Sequence, residues 1–154
     1  MGVETGLDSN ARKNRGGKAM ESLVESHIRK TGCTYFTEMC ISDIQNKWGL
    51  DLSRLSNDGR AVKRFDFVVE SKGQIFGFEV NFYSGGGSKL NETARSYKML
   101  AEESRNIERF KFVWITDGIG WKSARGNLRE TFDVLDNLFS INDLENGVLE
   151  KILL

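Results

Sequence analysis

The chain has 154 residues, of which 39% are apolar and 29% charged, and its 22 basic and 22 acidic side chains balance. This length and composition indicate one domain with its own core and exclude a fully disordered chain. No apolar run approaches the ~20 residues of a membrane helix, the N-terminus lacks the apolar stretch of a signal peptide, and two cysteines are too few for a disulfide framework. We therefore expect a cytoplasmic protein with no membrane span.

The first third of the chain predicts one helix. Residues 1–17 are polar and rich in glycine, which is typical of a loop or an arm. Apolar residues then recur at helical spacing, so we expect a helix with one buried face over roughly 18–30. Residues 33–62 are less regular, and only Tyr35 and Phe36 indicate a short strand there. The apolar stripe of the predicted helix is Met20, Leu23, Val24 and Ile28.

Two strands joined by a tight turn come next. Apolar and polar residues alternate on both sides of Ser71-Lys72-Gly73-Gln74, as in a β-hairpin. A two-residue turn at Lys72-Gly73 would use Gly73 for a positive φ and would pair Ser71 with Gln74. That register predicts one shared apolar face, made of Phe65, Phe67, Val69, Phe76, Phe78 and Val80.

The rest of the chain predicts helices around one more strand. A glycine-rich loop at 84–88 precedes a helix that reaches about 106, and 110–116 has the composition of a buried strand. A turn at 117–120 leads to a third apolar stripe, from Ala124 to Phe139, which we interpret as a helix. The order of helix, strands, helix, strand and helix indicates an α/β fold.

The predicted hairpin sets two acids face to face. On the face opposite the apolar residues, its register places Asp66 directly across from Glu79. Opposed Cβ atoms lie ~4.5–5.5 Å apart. Two carboxylates so close repel unless a proton or a cation lies between them, and Mg²⁺ prefers such oxygen ligands. The alternative is that both acids are exposed on a solvated face of the sheet.

The same acids belong to a longer pattern. Asp66, followed after twelve residues by Glu79-Val80-Asn81, resembles the PD-(D/E)xK nuclease signature. More specific are the words KRFDF at 63–67, EVNFYSGGGSKLNE at 79–92 and FVWITDGIGWK at 112–122, with the stretch 2–15. Together these resemble the DpnII/MboI family of type II restriction endonucleases over essentially the whole chain. Family members are about twice as long, and the resemblance is to their C-terminal part.

The resemblance implies a fold and an activity. The expected fold is the PD-(D/E)xK restriction-endonuclease-like one, a mixed central sheet flanked by helices in a single nuclease core domain. The expected activity is Mg²⁺-dependent hydrolysis of double-stranded DNA at GATC, blocked by adenine methylation. A homodimer is left open, and no membrane or small-molecule cofactor is expected. The alternatives are a catalytically weakened or inactive DNA-binding fragment, and an interaction module that binds no DNA.

The resemblance also suggests roles for individual residues. Asp66 and Glu79 are the expected metal ligands, joined by the Val80 carbonyl. Asn81 occupies the position of the signature lysine, but an amide cannot act as a general base or a cation, so its expected role is to orient water or phosphate. Glu21, at the edge of the first helical stripe, is a third candidate for the metal, with a surface acid as the alternative.

DNA contact is predicted from charge and from glycines. Residues 130–154 hold six acids and one base, so this segment carries −5 and the remainder +5. Glycines let the backbone approach a phosphate, and a helix N-terminus favours an anion. The alternative is a flexible loop and a solvated basic surface. The predicted DNA-binding residues are Ser84, Gly85, Gly86, Gly87, Ser88, Lys89, Arg95, Arg12 and Lys13.

Overall fold

A five-stranded mixed sheet separates two layers of helix. The computed structural model describes residues 2–55, 64–84, 88–124 and 133–154. The strands lie side by side in chain order, antiparallel from β1 to β3 and parallel from β3 to β5. This arrangement confirms the predicted α/β fold with a mixed sheet flanked by helices. The strands are β1 (Thr34–Cys40), β2 (Arg64–Ser71), β3 (Gln74–Phe82), β4 (Phe110–Asp117) and β5 (Leu138–Phe139).

The helices cover both faces of this sheet. One layer holds α1 and the two C-terminal helices, and its core includes Val24 and Leu149. The other layer holds α2 and α3, and its core includes Ile44 and Ala94. In the part of the chain that is described, no helix is long and apolar enough to cross a membrane. The helices are α1 (Gly2–Thr31), α2 (Ile41–Trp48), α3 (Ser88–Ser104), a 3₁₀ helix (Ile119–Ala124), α4 (Ile141–Glu145) and α5 (Val148–Leu153).

The first helix is longer than the sequence pattern predicts. It begins at Gly2, so the stretch predicted as a loop or arm is helical. The buried stripe of α1, which includes Met20 and Ile28, provides the nucleus of this helix. Because adding a residue to an existing helix costs far less than starting one, and because no proline interrupts the preceding residues, the helix extends toward the N-terminus.

Two further elements differ from the predictions. Helix α2 was not predicted, and it ends at Gly49, whose φ of 68° suits the left-handed end of a helix. The end of the predicted third helix is wrong, because Leu138 and Phe139 form β5 and pair in parallel with β4. Pairing with β4, and not local helical spacing, determines the structure of this segment. The Trp114 N–H of β4 donates to the Asn137 carbonyl at 2.9 Å. Residues 125–132 of that predicted helix lie outside the described residues.

The predicted hairpin turn is confirmed. Lys72 and Gly73 have φ values of 52° and 78°, the two positive values of a type I′ turn. Ser71 pairs with Gln74, and the ladder continues in the predicted register as far as Phe67 and Phe78.

Beyond that point the prediction of one shared apolar face is wrong for Phe65. Phe65 packs in the opposite layer from Phe67, with its ring centroid 5.7 Å from that of Phe110. Gly77 makes room for it, since a Cβ at that position would lie 3.0 Å from the Phe65 ring. Strand β2 therefore leaves regular alternation between Phe65 and Phe67, where its pairing with β3 ends.

The turn yields a test of this part of the fold. Lys72 holds a left-handed backbone conformation that asparagine adopts at lower cost. We expect Lys72→Asn to raise the free energy of unfolding by about 0.5–1 kcal/mol, and the β-branched Lys72→Val to lower it by at least as much. Urea unfolding of both variants measures this. Equal midpoints for the two variants would contradict the type I′ turn.

Candidate active site

The candidate site lies where β3 leaves the hairpin and pairs only with β4. Glu79 and Asn81 lie two residues apart on β3. The parallel register pairs them with Trp114 and Thr116 of β4. Glu79 is only 5% exposed, although Phe82, three residues later, is 41% exposed. The acid is therefore buried just inside the edge of the sheet.

Asp66 reaches this position from β2 by an unpredicted contact. The hairpin ladder ends at the pair of Phe67 with Phe78, so Asp66 and Glu79 lie one step beyond it and are not a ladder pair. The Asp66 Oδ2 accepts the backbone N–H of Val80 at 2.8 Å. A side chain thus takes the hydrogen bond that a neighbouring strand would otherwise accept, and it fixes the Asp66 carboxylate against the backbone between Glu79 and Asn81.

Tyr97 of α3 provides a hydrogen bond to the buried acid. Its hydroxyl donates to Oε2 of Glu79 at 3.3 Å. Burial raises the pKa of Tyr97, and the negative charges of Glu79 and Asp66 raise it further. Both carboxylates therefore lie within electrostatic range of one phenol, which stays protonated and able to donate at neutral pH.

The amide of Asn81 is oriented by two aromatic side chains. The indole Nε1–H of Trp114 donates to Oδ1 of Asn81. Asn81 also forms a hydrogen bond with Tyr97 that lowers the pKa of the phenol, as a bond donated to its oxygen does. The Asn81 oxygen therefore faces Trp114 and its NH₂ group faces Tyr97.

Aromatic rings enclose these polar groups on the α3 side. The Tyr97 and Trp114 rings meet edge to face with their centroids 4.8 Å apart, and the Trp121 ring centroid lies 5.3 Å from that of Trp114. Trp121 also donates from Nε1 to Thr116 Oγ1 at 2.8 Å. Trp114, Trp121 and Tyr97 were not among the residues predicted for the site. Their N–H and O–H groups, which need buried partners, were the signal that could have placed them at the site.

Glu21 approaches the site from α1. Partial burial raises its pKa first, and the charges of Asp66 and Glu38 raise it further, while Lys18 opposes them. Glu38 was not predicted, and it has a positive φ of 51° in β1. Over the described ranges, no three His, Cys, Asp or Glu residues lie close enough to hold a metal ion together. The structure therefore does not assemble Glu21 with Asp66 and Glu79 into one set of ligands.

The predicted DNA-binding residues are only partly described. Ser84 is exposed directly after β3, and Arg95 is exposed on α3. Ser88 and Lys89 form the first turn of α3, so this helix begins next to the end of β3. Gly85, Gly86 and Gly87 lie outside the described residues. Arg12 and Lys13 belong to α1 and not to a loop.

Comparisons with known proteins agree with the resemblance seen in the sequence. A family model described as DpnII restriction endonuclease matches residues 1–151. The chain is 52% identical to the type II restriction enzyme DpnII of Streptococcus pneumoniae, an alignment that covers 98% of this chain and 54% of that enzyme. It is 38% identical to MboI of Moraxella bovis, with 99% and 51% covered. The chain spans about half the length of these relatives. No solved structure matches it.

The raised pKa of Glu21 predicts a pH-dependent stability. An acid with a higher pKa in the folded than in the unfolded chain stabilises the fold below its ordinary value of 4.5, and this contribution is lost as the pH rises through the folded value. We expect Glu21→Gln to melt at a higher temperature than the wild type at pH 7, and the difference to shrink as the pH falls toward 4.5 and to be lost below that value. Thermal melts across this range measure it, with the exposed Glu102→Gln as control. A difference that grows on acidification would contradict the prediction.

Proposed function

Because the chain belongs to the DpnII family of type II restriction endonucleases, we propose that it hydrolyses double-stranded DNA at GATC with the help of Mg²⁺. The observation that carries this proposal is that the carboxylates of Asp66 and Glu79 both act electrostatically on one phenol near the end of β3, where Asp66 is held on the Val80 N–H and Glu79 is bonded by Tyr97. GATC is the expectation from the sequence resemblance. Phosphodiester hydrolysis needs an activated water and stabilisation of charge on the phosphate, and paired acids with a bound cation can provide both.

The chemistry of the donors fits a hard divalent cation. Asp66 and Glu79 offer carboxylate oxygens, and the Val80 carbonyl is the third ligand that we propose. The negative charge of Asp66 contributes to the raised pKa of Glu21, because the two carboxylates repel each other. A bound cation would relieve this repulsion. A cation held by these groups would neutralise charge at the scissile phosphate and activate the attacking water.

The chain's own residues have separate tasks in this proposal. The Val80 N–H holds Asp66 in place, so this ligand needs little reorganisation when a cation binds. Tyr97 satisfies one oxygen of Glu79, whose burial would otherwise oppose its charge. Asn81 orients groups by hydrogen bonds, because its amide can neither carry a charge nor take a proton.

DNA would approach from the end of the sheet at which β3 and α3 meet. Arg95 is exposed on α3, and Lys89 lies in the first turn of that helix. The net charge of +5 on residues 1–129 favours contact of this segment with a polyanion. A homodimer on the duplex would match the two-fold symmetry of GATC. Both cysteines are free thiols, which suits a reducing cytoplasm.

A second candidate function is DNA binding without efficient cleavage. It is favoured by Asn81, whose oxygen is engaged by Trp114 at the position of the signature lysine. Incubation of unmethylated GATC plasmid with Mg²⁺ and then with EDTA separates the two functions. Cutting that requires Mg²⁺ supports the nuclease, and binding without cutting supports the second function.

The carboxylates give the first functional prediction. We expect Asp66→Asn and Glu79→Gln each to reduce cutting by at least about 100-fold, because each removes a negative ligand from the cation while keeping the shape of the side chain. Plasmid cutting in Mg²⁺ measures this, with circular dichroism to show that the fold is kept. Glu70→Gln on the same strand as Asp66 is the matched control and is expected to cut normally. Wild-type turnover of either test variant would contradict the assignment.

Lys89 gives a prediction about DNA binding. If Lys89 contacts a phosphate, each such contact contributes about 0.9 to the slope of log affinity against log salt. We expect Lys89→Ala to weaken binding of GATC and non-GATC duplexes alike and to reduce that slope by about one. Binding is measured in Ca²⁺ over a series of salt concentrations. The control is Lys111→Ala, at the opposite end of β4 from the site, which is expected to leave the slope unchanged. An unchanged slope for Lys89→Ala with slower cutting would instead place this lysine at the reacting phosphate.

A further inference from the structure

An ordered chain of hydrogen bonds runs from the core to the buried acid of the site. It starts at the Nε1–H of Trp114, which donates to Oδ1 of Asn81. It continues through the bond between Asn81 and Tyr97 and ends where the Tyr97 hydroxyl donates to Oε2 of Glu79. Every hydrogen bond in this chain is donated in the same direction, toward the carboxylate.

The direction of the chain is imposed by its first member. An indole has one N–H and no acceptor, so Trp114 can only donate. Trp114 is fully buried, and its N–H requires an acceptor, which fixes the Asn81 amide with its oxygen toward the indole. The NH₂ group of Asn81 is then directed to the phenol oxygen. The phenol hydrogen is left to bond with Glu79.

Ring packing fixes the position of the phenol independently of Glu79. The Tyr97 ring meets Trp114 edge to face at 4.8 Å and 87°, and it meets Phe112 at 5.6 Å and 75°. A ring held from two sides has little freedom to follow the carboxylate. Glu79 therefore adjusts to Tyr97, and not the reverse.

We propose that Tyr97 is a positioning residue, which fixes the plane of the Glu79 carboxylate for a divalent cation, and that Trp114 and Asn81 set the direction of its hydrogen bond. The proposal rests on the function proposed above, since it assigns the cation to Glu79. It also gives a reason for the amide at position 81. A lysine there has only donors and could not accept the buried N–H of Trp114, which would lose its partner.

The test compares two tyrosines that each lose one hydroxyl. Tyr97→Phe keeps the ring that packs between Trp114 and Phe112 but removes the bond to Glu79. Tyr35→Phe is the matched control, because the Tyr35 hydroxyl also bonds a glutamate, Glu25, but on the α1 surface. Binding of Mn²⁺ alone to each chain, without DNA, is measured by titration calorimetry and by electron paramagnetic resonance.

The expected result is a selective loss of metal affinity. Removing an outer partner of a metal ligand costs about 10–100-fold in affinity or rate. We expect Tyr97→Phe to bind Mn²⁺ at least about 10-fold more weakly and to cut with a kcat lowered by a similar factor at unchanged KM for the duplex. Tyr35→Phe is expected to match the wild type in both measurements.

A purely structural tyrosine would give a different result. Tyr97→Phe would then lower the melting temperature while Mn²⁺ affinity stayed at the wild-type value, which would overturn the proposal but leave the nuclease function intact. A wild-type chain that binds no Mn²⁺ would overturn the metal site and this proposal together. If Tyr97→Phe does not fold, Asn81→Leu replaces it, because it removes the amide that directs the phenol; unchanged Mn²⁺ affinity in that variant would likewise overturn the proposal.

Discussion

The site depends on one hydrogen bond, the one that the Val80 N–H donates to the Asp66 carboxylate. It forms where the hairpin ladder of β2 and β3 ends, so a side chain takes the role of the neighbouring strand. β2 then departs from regular alternation, and Phe65 packs in the opposite layer from Phe67. One contact thus ends the hairpin, places an acid beside Glu79 and leaves the end of β3 to pair with β4 alone.

Burial of Glu79 sets the electrostatic problem that the neighbouring side chains solve. An ionised carboxylate away from water is costly unless hydrogen bonds or an opposite charge compensate it. Tyr97 provides one such bond, and a phenol suits this position because its own burial and the nearby carboxylates keep it protonated. In the proposed function the bound cation provides the opposite charge. The same burial that makes the acid costly strengthens its attraction for that cation.

The aromatic residues do more than fill the core on the α3 side. The indole N–H groups of Trp114 and Trp121 donate hydrogen bonds to Asn81 and Thr116, respectively. Asn81 and Thr116 are partners in the β3–β4 ladder. The edge-to-face contact between Tyr97 and Trp114 restricts the positions of both rings. A polar network with partners in a packed aromatic layer is rigid, and rigidity is what the ligands of a metal require.

Part of this protein was readable from its sequence. The alternation of apolar residues and the Lys72-Gly73 turn predicted the hairpin and its register, because strand periodicity and turn chemistry are local properties. The hairpin register also predicted Asp66 near Glu79, and the structure holds its carboxylate on the next residue of β3, Val80. Local patterns could not show that Leu138 and Phe139 join the sheet, since pairing with β4 overrides their helical spacing. Nor could they place Asp66 on the Val80 N–H, or Tyr97 and Trp114 around Glu79 and Asn81. The first contact forms where the hairpin ladder ends, and the others join residues distant in the chain that β3–β4 pairing and the packing of α3 against β4 bring together.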